Sequence, residues 1–171
     1  YSKDSVKYIK TIALKIKGDI NMQIEDLFKI QKEANNKVQI DTNLSGYKLL
    51  ARKHLELQIK MSELANETKC YKYWIDDNFT VNKSTVFDKY ISCFRQVLSL
   101  GIDKGYDSIK CITIQPSEYC LSDQFLNLYI DINDLLISSS EDHYVTLLED
   151  FLSLAISLGF SEQDIVDGFK L

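Results

Sequence analysis

The chain has 171 residues, of which 45% are hydrophobic and 26% charged, with a formal net charge of −5. This is the balance of one folded domain with a core of its own, and it excludes a broadly basic surface for nucleic acid. No apolar run approaches the roughly 18 residues that a membrane span needs, and the N-terminus carries no signal-peptide pattern, so a cytoplasmic protein is expected.

Breakers are scarce: one proline, Pro116, and six glycines. Long uninterrupted helices are therefore expected. Residues 1–20 read as an extension outside the main domain, which is taken as 21–171. In the extension Ile12, Leu14 and Ile16 alternate, which suits a strand over residues 11–17 ending in a Gly18-Asp19 turn; Val6, Ile9, Ala13 and Ile16 also suit a helix face. Such a strand would pair with residues 109–114, which alternate too. From Asn21, a plausible N-cap, Ile24, Leu27, Phe28 and Ile30 mark a helix face that runs to about Lys37. A polar loop follows as far as Gly46. Leu50, Leu57, Met61 and Leu64 then recur at helical spacing over 47–68. A break at 76–78 separates this helix from the next, which opens at Lys83 or Ser84 with Phe87, Tyr90, Ile91, Phe94, Val97 and Leu98, and stops near Gly101 or Gly105. Two more helices are expected over 122–137 and 141–158, with a serine cap between them and Gly159 at the end. Ser161 with Asp164 starts a last short helix.

Cys70, Cys93, Cys111 and Cys120 form no CxxC pair, and only His54 and His143 could assist them. No zinc site is expected, and the thiols read as reduced and mostly buried.

The residues that could carry chemistry lie on the two long helices. Glu56, Lys60, Glu63 and Glu67 form one helical stripe; Asp88, Ser92 and Arg95 form another, with Lys89 beside it. Carboxylates at such spacing on facing helices build Mg²⁺ sites, because Mg²⁺ takes oxygen ligands, waters and substrate phosphates. The plainer reading is a solvated charged face with i, i+4 pairs such as Glu56 with Lys60. Residue pattern alone favours the plainer reading, since no clean ExxE or ExxD pair is present.

The segment IKMSELANETKCYKYW over residues 59–74 resembles the most diagnostic stretch of the dimeric dUTPase family. FKIQKEAN at 28–35 resembles that family's first helix, DKYISCFRQVLSLGI at 88–102 its second metal-binding helix, and LSLAISLGFS at 152–161 its C-terminal helix pair. The resemblance covers about residue 21 to the end. It implies an all-α bundle of the dimeric dUTPase and all-α NTP pyrophosphatase type, with at most one small β-hairpin, a homodimer, and Mg²⁺-dependent hydrolysis of dUTP or dUDP. It also implies metal ligands from an ExxE and an ExxD, which fall here on Lys60 and Glu63 and on Lys89 and Ser92. Three of the four carboxylates are gone and two have become cations. At ~4 Å and an effective dielectric near 20, a unit-charge interaction worth about 4 kcal/mol changes sign. Members also usually continue past the last helix with residues that close over substrate; here the chain stops at Leu171.

Gln31, Asn66 and Trp74 match positions of a nucleoside pocket, although for Trp74 taken alone a core tryptophan is the better reading. The expected function is thus a dUTPase-like domain that has lost catalysis and serves as a binding or regulatory module, with no cofactor. A deoxyuridine nucleotide or a protein is its expected ligand; nucleic acid and membrane are not expected. One alternative is an active Mg²⁺-dependent dUTP/dUDP pyrophosphatase with a rebuilt carboxylate site at Glu56, Glu63, Glu67 and Asp88. Another is an interaction domain with no nucleotide.

Overall fold

The computed structural model describes residues 19–75 and 78–170. Among them are six helices and one two-stranded sheet: β1 (Ile20–Gln23), α1 (Glu25–Asn35), α2 (Gly46–Thr68), α3 (Lys83–Lys104), β2 (Cys111–Ile114), α4 (Leu121–Ile137), α5 (Glu141–Leu158) and α6 (Glu162–Lys170). The architecture is all-α, as expected, with one small antiparallel sheet whose two strands are far apart in sequence rather than joined as a hairpin.

Helix α3 is the axis of the bundle. Gln96 to Gly101 are buried without a gap, so this stretch is covered on every side. Helices α1, α2, α5 and α6 all pack on it, and α4 packs on α2 and α5. At the centre Tyr90 stacks on Phe151, with ring centroids 4.7 Å apart, and Phe94 meets Phe151 and Phe169 at 5.4 Å each. The Tyr90 and Tyr144 hydroxyls are buried, and each donates to a backbone carbonyl, of Phe151 and Val97 respectively. Tyr144 reaches Val97 only because residue 101 is glycine: a Cβ there would overlap the tyrosine ring and hydroxyl.

The helix ends follow local chemistry. Ser45, Asn82 and Ser140 accept from the first-turn amides of α2, α3 and α5. Gly105 and Gly159 close α3 and α5 with φ of 78° and 80°, the left-handed conformation that glycine adopts freely. Ser161 and Asp164 exchange hydrogen bonds at the start of α6, a capping box.

The first helix differs from expectation. Asn21 is not its cap: Asn21 lies in β1, where its side chain accepts from Thr113, and α1 begins at Glu25, with Ile24 in the cap position and no side-chain cap. The reason is pairing. Ile20 faces Ile114 and Met22 faces Ile112, which buries Met22, Ile112 and Ile114, and the Ile24 amide is held by the Lys110 carbonyl at 3.0 Å. Residues 111–114 therefore do form a strand. The strand expected at 11–17 lies outside the described residues.

Two burial expectations also change. Cys93 is buried and Cys70 half-buried, but Cys111 and Cys120 are exposed: Cys111 points outward from the pleat opposite Ile112, and Cys120 stands at the mouth of α4. Trp74 is not a core residue; it is 47% exposed, in the irregular segment between α2 and α3. Among the described residues no single helix is long and apolar enough to cross a membrane.

Candidate functional site

Helices α2 and α3 run antiparallel, and their shared edge is a polar seam. Leu57, Met61 and Leu64 of α2 and Tyr90, Cys93 and Val97 of α3 are buried beneath it, so the longer polar side chains are left to meet across the rim. Lys53 Nζ lies 2.6 Å from Asp103, and Gln96 donates to the Lys53 carbonyl at 2.9 Å. Farther along, Lys60 Nζ donates to Ser92 Oγ at 2.9 Å and sits 3.6 Å from Glu56. Last, Lys89 Nζ donates to Glu63 Oε2 at 2.8 Å.

The electrostatics follow from these contacts. The hydrogen bond from Lys89 holds the Glu63 carboxyl below its usual range, with Lys60 acting in the same sense. Glu63 in turn raises Lys89, assisted by Glu67. Both groups face solvent, so the pair is neutralised rather than strongly bound. Burial pushes the Cys93 thiol well above its ordinary range, which makes it an inert neighbour rather than a nucleophile.

The structure pairs the four positions on which the family resemblance places metal ligands: Lys60 with Ser92, and Glu63 with Lys89. Their donor set does not fit Mg²⁺. It comprises two ammonium groups, one carboxylate already bonded to an ammonium, and one hydroxyl that accepts from the other ammonium; Mg²⁺ needs several free oxygen ligands. Of the other set, Glu67 adds its negative charge near the same Lys89 as Glu63. Glu56 faces Lys60, Glu63 faces Lys89, and Asp88 borders a groove of about 260 Å³ between α3 and α6, with Ser92, Arg95 and Phe87. Among the described residues no three His, Cys, Asp or Glu side chains are arranged to hold a metal ion. Arg95 is turned away from the seam: it donates to the carbonyls of Gly168 and Phe169 at 3.4 and 2.9 Å and covers the Phe169 ring.

The nucleoside positions are divided. Asn66, near the end of α2, accepts from the Tyr71 hydroxyl at 3.2 Å, and Tyr71 in turn packs edge-on against Trp74 with centroids 6.1 Å apart. Gln31 is buried on α1; its amide nitrogen donates to Asn35, and its Oε1 is buried without a donor. No hydrogen bond among the described residues joins Gln31 to Asn66 or Trp74.

Two polar residues stood unnoticed on apolar stripes. His54 fills the gap between Leu50 and Leu57 at i+4, is 2% exposed, and has no hydrogen-bond partner on either ring nitrogen. Asp131 follows Leu128 by three residues on the buried side of α4, and its Oδ2 is buried without a donor. A polar residue occupying a slot of an apolar period was the signal available for both.

The class defined by this fold is an all-α bundle whose two long helices, α2 and α3, share a charged edge. A family model described as dUTPase matches residues 23–170, most of the chain; the protein belongs to the dUTPase family. Comparison with curated proteins and with solved structures returns no match.

Proposed function

We propose that this dUTPase-family domain does not hydrolyse dUTP and serves as a binding or regulatory module. The observation that carries the reading is the pair of contacts from Lys60 to Ser92 and from Lys89 to Glu63, at 2.9 and 2.8 Å. Each ammonium group occupies the partner that a divalent cation would need, so the seam is closed by its own charges. The orphaned Oε1 of buried Gln31 supports a retained recognition role. An acceptor left without a donor in the interior is costly, and a ligand amide or imide would satisfy it.

The test combines turnover with calorimetry. The purified chain should show no Mg²⁺-dependent release of pyrophosphate from dUTP and no heat on titration with Mg²⁺ alone. Changing Lys60→Glu, Lys89→Glu and Ser92→Asp together should create measurable Mg²⁺ binding. Turnover by the unchanged protein that disappears in Glu63→Ala would overturn this reading in favour of a rebuilt carboxylate site. Binding of dUMP or dUTP in EDTA separates a nucleotide-binding module from an interaction domain with no nucleotide.

The assembly belonging to this reading is a homodimer through the long helices. Gln58 donates to Asn133, and Ser62 meets Tyr129 at 2.6 Å, so α2 and α4 lie side by side. On their outer sides Leu55 and Ile59 of α2 and Leu126, Ile130 and Ile137 of α4 are 51–83% exposed. An apolar face of this extent on two adjacent helices suits isologous pairing. A dimer mass by light scattering, reduced to a monomer by Leu55→Glu with Ile130→Glu, is the expected result.

A further inference from the structure

Away from the seam, α4 and α5 bring two carboxyl groups together. Asp131 is carried to this contact by its place between Leu128 and Ile132, both buried. Its Oδ2 is buried and meets no hydrogen-bond donor. The side chain in hydrogen-bonding position is another acid, Asp150 of α5. Two carboxylates have only acceptors to offer each other; a carboxylic acid and a carboxylate bond through one proton.

Among the described residues, His143 is the one basic group that acts on Asp131, and the other charged groups that act on it are acids. Asp134, on the same helix, adds negative charge. Glu149 of α5 is itself partly desolvated, and Asp150 raises it further. Helix α2, on the other flank of α4, presents Gln58 and Ser62, which are uncharged. His143, at the start of α5, acts in the opposite sense, but its Nδ1 lies 2.7 Å from the Ser138 carbonyl oxygen and is oriented by that contact.

We propose that Asp131 and Asp150 share one proton and form a pH-responsive clamp between α4 and α5, closed while the proton is held and strained by like-charge repulsion once it leaves. Burial first, and Asp150 second, push Asp131 up to about 7, which places the change near neutral pH. The proton goes to solvent on opening and returns from solvent on closing, so no further reactant is needed.

Asparagine at position 131 keeps the shape and donates to Asp150 without titrating. The unfolding midpoint of the full chain, compared between Asp131→Asn and the unchanged protein from pH 5 to 8.5, reads the clamp. The advantage of the variant should grow by several degrees across that range, and Asp150→Asn should behave alike. A difference that stays constant with pH in both variants would overturn the proposal. Carboxyl-carbon NMR of the unchanged protein supplies a readout that needs no variant. A resonance of Asp131 with its midpoint near neutral pH supports the clamp, and one that titrates wholly below pH 5 overturns it.

Discussion

The α2–α3 seam and the α4–α5 contact place ionisable side chains between antiparallel helices in opposite ways. In the seam the partners have opposite charge and stand at the rim: Lys60, Glu63 and Lys89 keep 26–48% of their side-chain surface exposed. In the α4–α5 contact the partners have the same charge, and an oxygen of Asp131 is buried. Water and opposite sign make the seam tolerant and weakly stabilising. Burial and like sign make the carboxyl pair dependent on a proton. Charged residues at a helix interface are therefore read by sign and depth together.

The core supplies the scale against which both contacts are judged. Gly101→Ala should destabilise by about 3 kcal/mol in denaturant unfolding, because the added methyl group overlaps the ring of fully buried Tyr144. A loss under about 1 kcal/mol would show that α5 slides freely on α3 and would weaken every inference that uses their spacing.

Next in size is the pH response. The folded state raises Asp131 above its unfolded value near 4, so the cost of its ionisation is absent below about pH 4, grows as pH rises, and is complete above about pH 7. Allowing for screening at a half-exposed group, that cost is about 2 kcal/mol. Double-jump unfolding of Asp131→Asn beside the unchanged protein at pH 5 and pH 8 measures it.

His54 acts with the opposite slope. Burial, and then Lys104, lower it, so its contribution is fully present above the unfolded value near 6.5 and is lost as pH falls below that. His54→Leu should remove this acid-side loss; urea midpoints that fall by the same amount from pH 7 to pH 5 in the variant and the unchanged protein would show the histidine to be irrelevant.

The smallest effect is expected in the seam. Lys89→Met should leave the unfolding midpoint within error, since Lys89 and Glu63 face solvent. Lys60→Met should cost more, because Ser92 loses its donor. Equal and large losses from both, insensitive to salt, would mean that the seam holds α2 to α3 in the way a buried pair does.

Much of this was legible from the residues. Glu141–Leu158 was bounded by Ser140 and Gly159, whose roles as cap and stop are local. The charged stripes on α2 and α3 came from i, i+4 and i+7 spacing, and the family was carried by residues 59–74. What local pattern missed depended on distant partners. Asn21 reads as a helix cap, yet Thr113, 92 positions away, draws it into a sheet. Trp74 reads as core, yet it is 47% exposed and stands among exposed Tyr71 and Tyr73 in the irregular segment between α2 and α3.

Sequence by itself therefore determined the helices, most of their ends and the family, because caps, periodicity and motif spacing act within a few residues. Only the tertiary structure decided that Lys60 meets Ser92, that Lys89 meets Glu63, and that Asp131 is pressed against Asp150. Those pairings depend on which faces of separate helices come into register, and that is set by the packing of the whole core around α3.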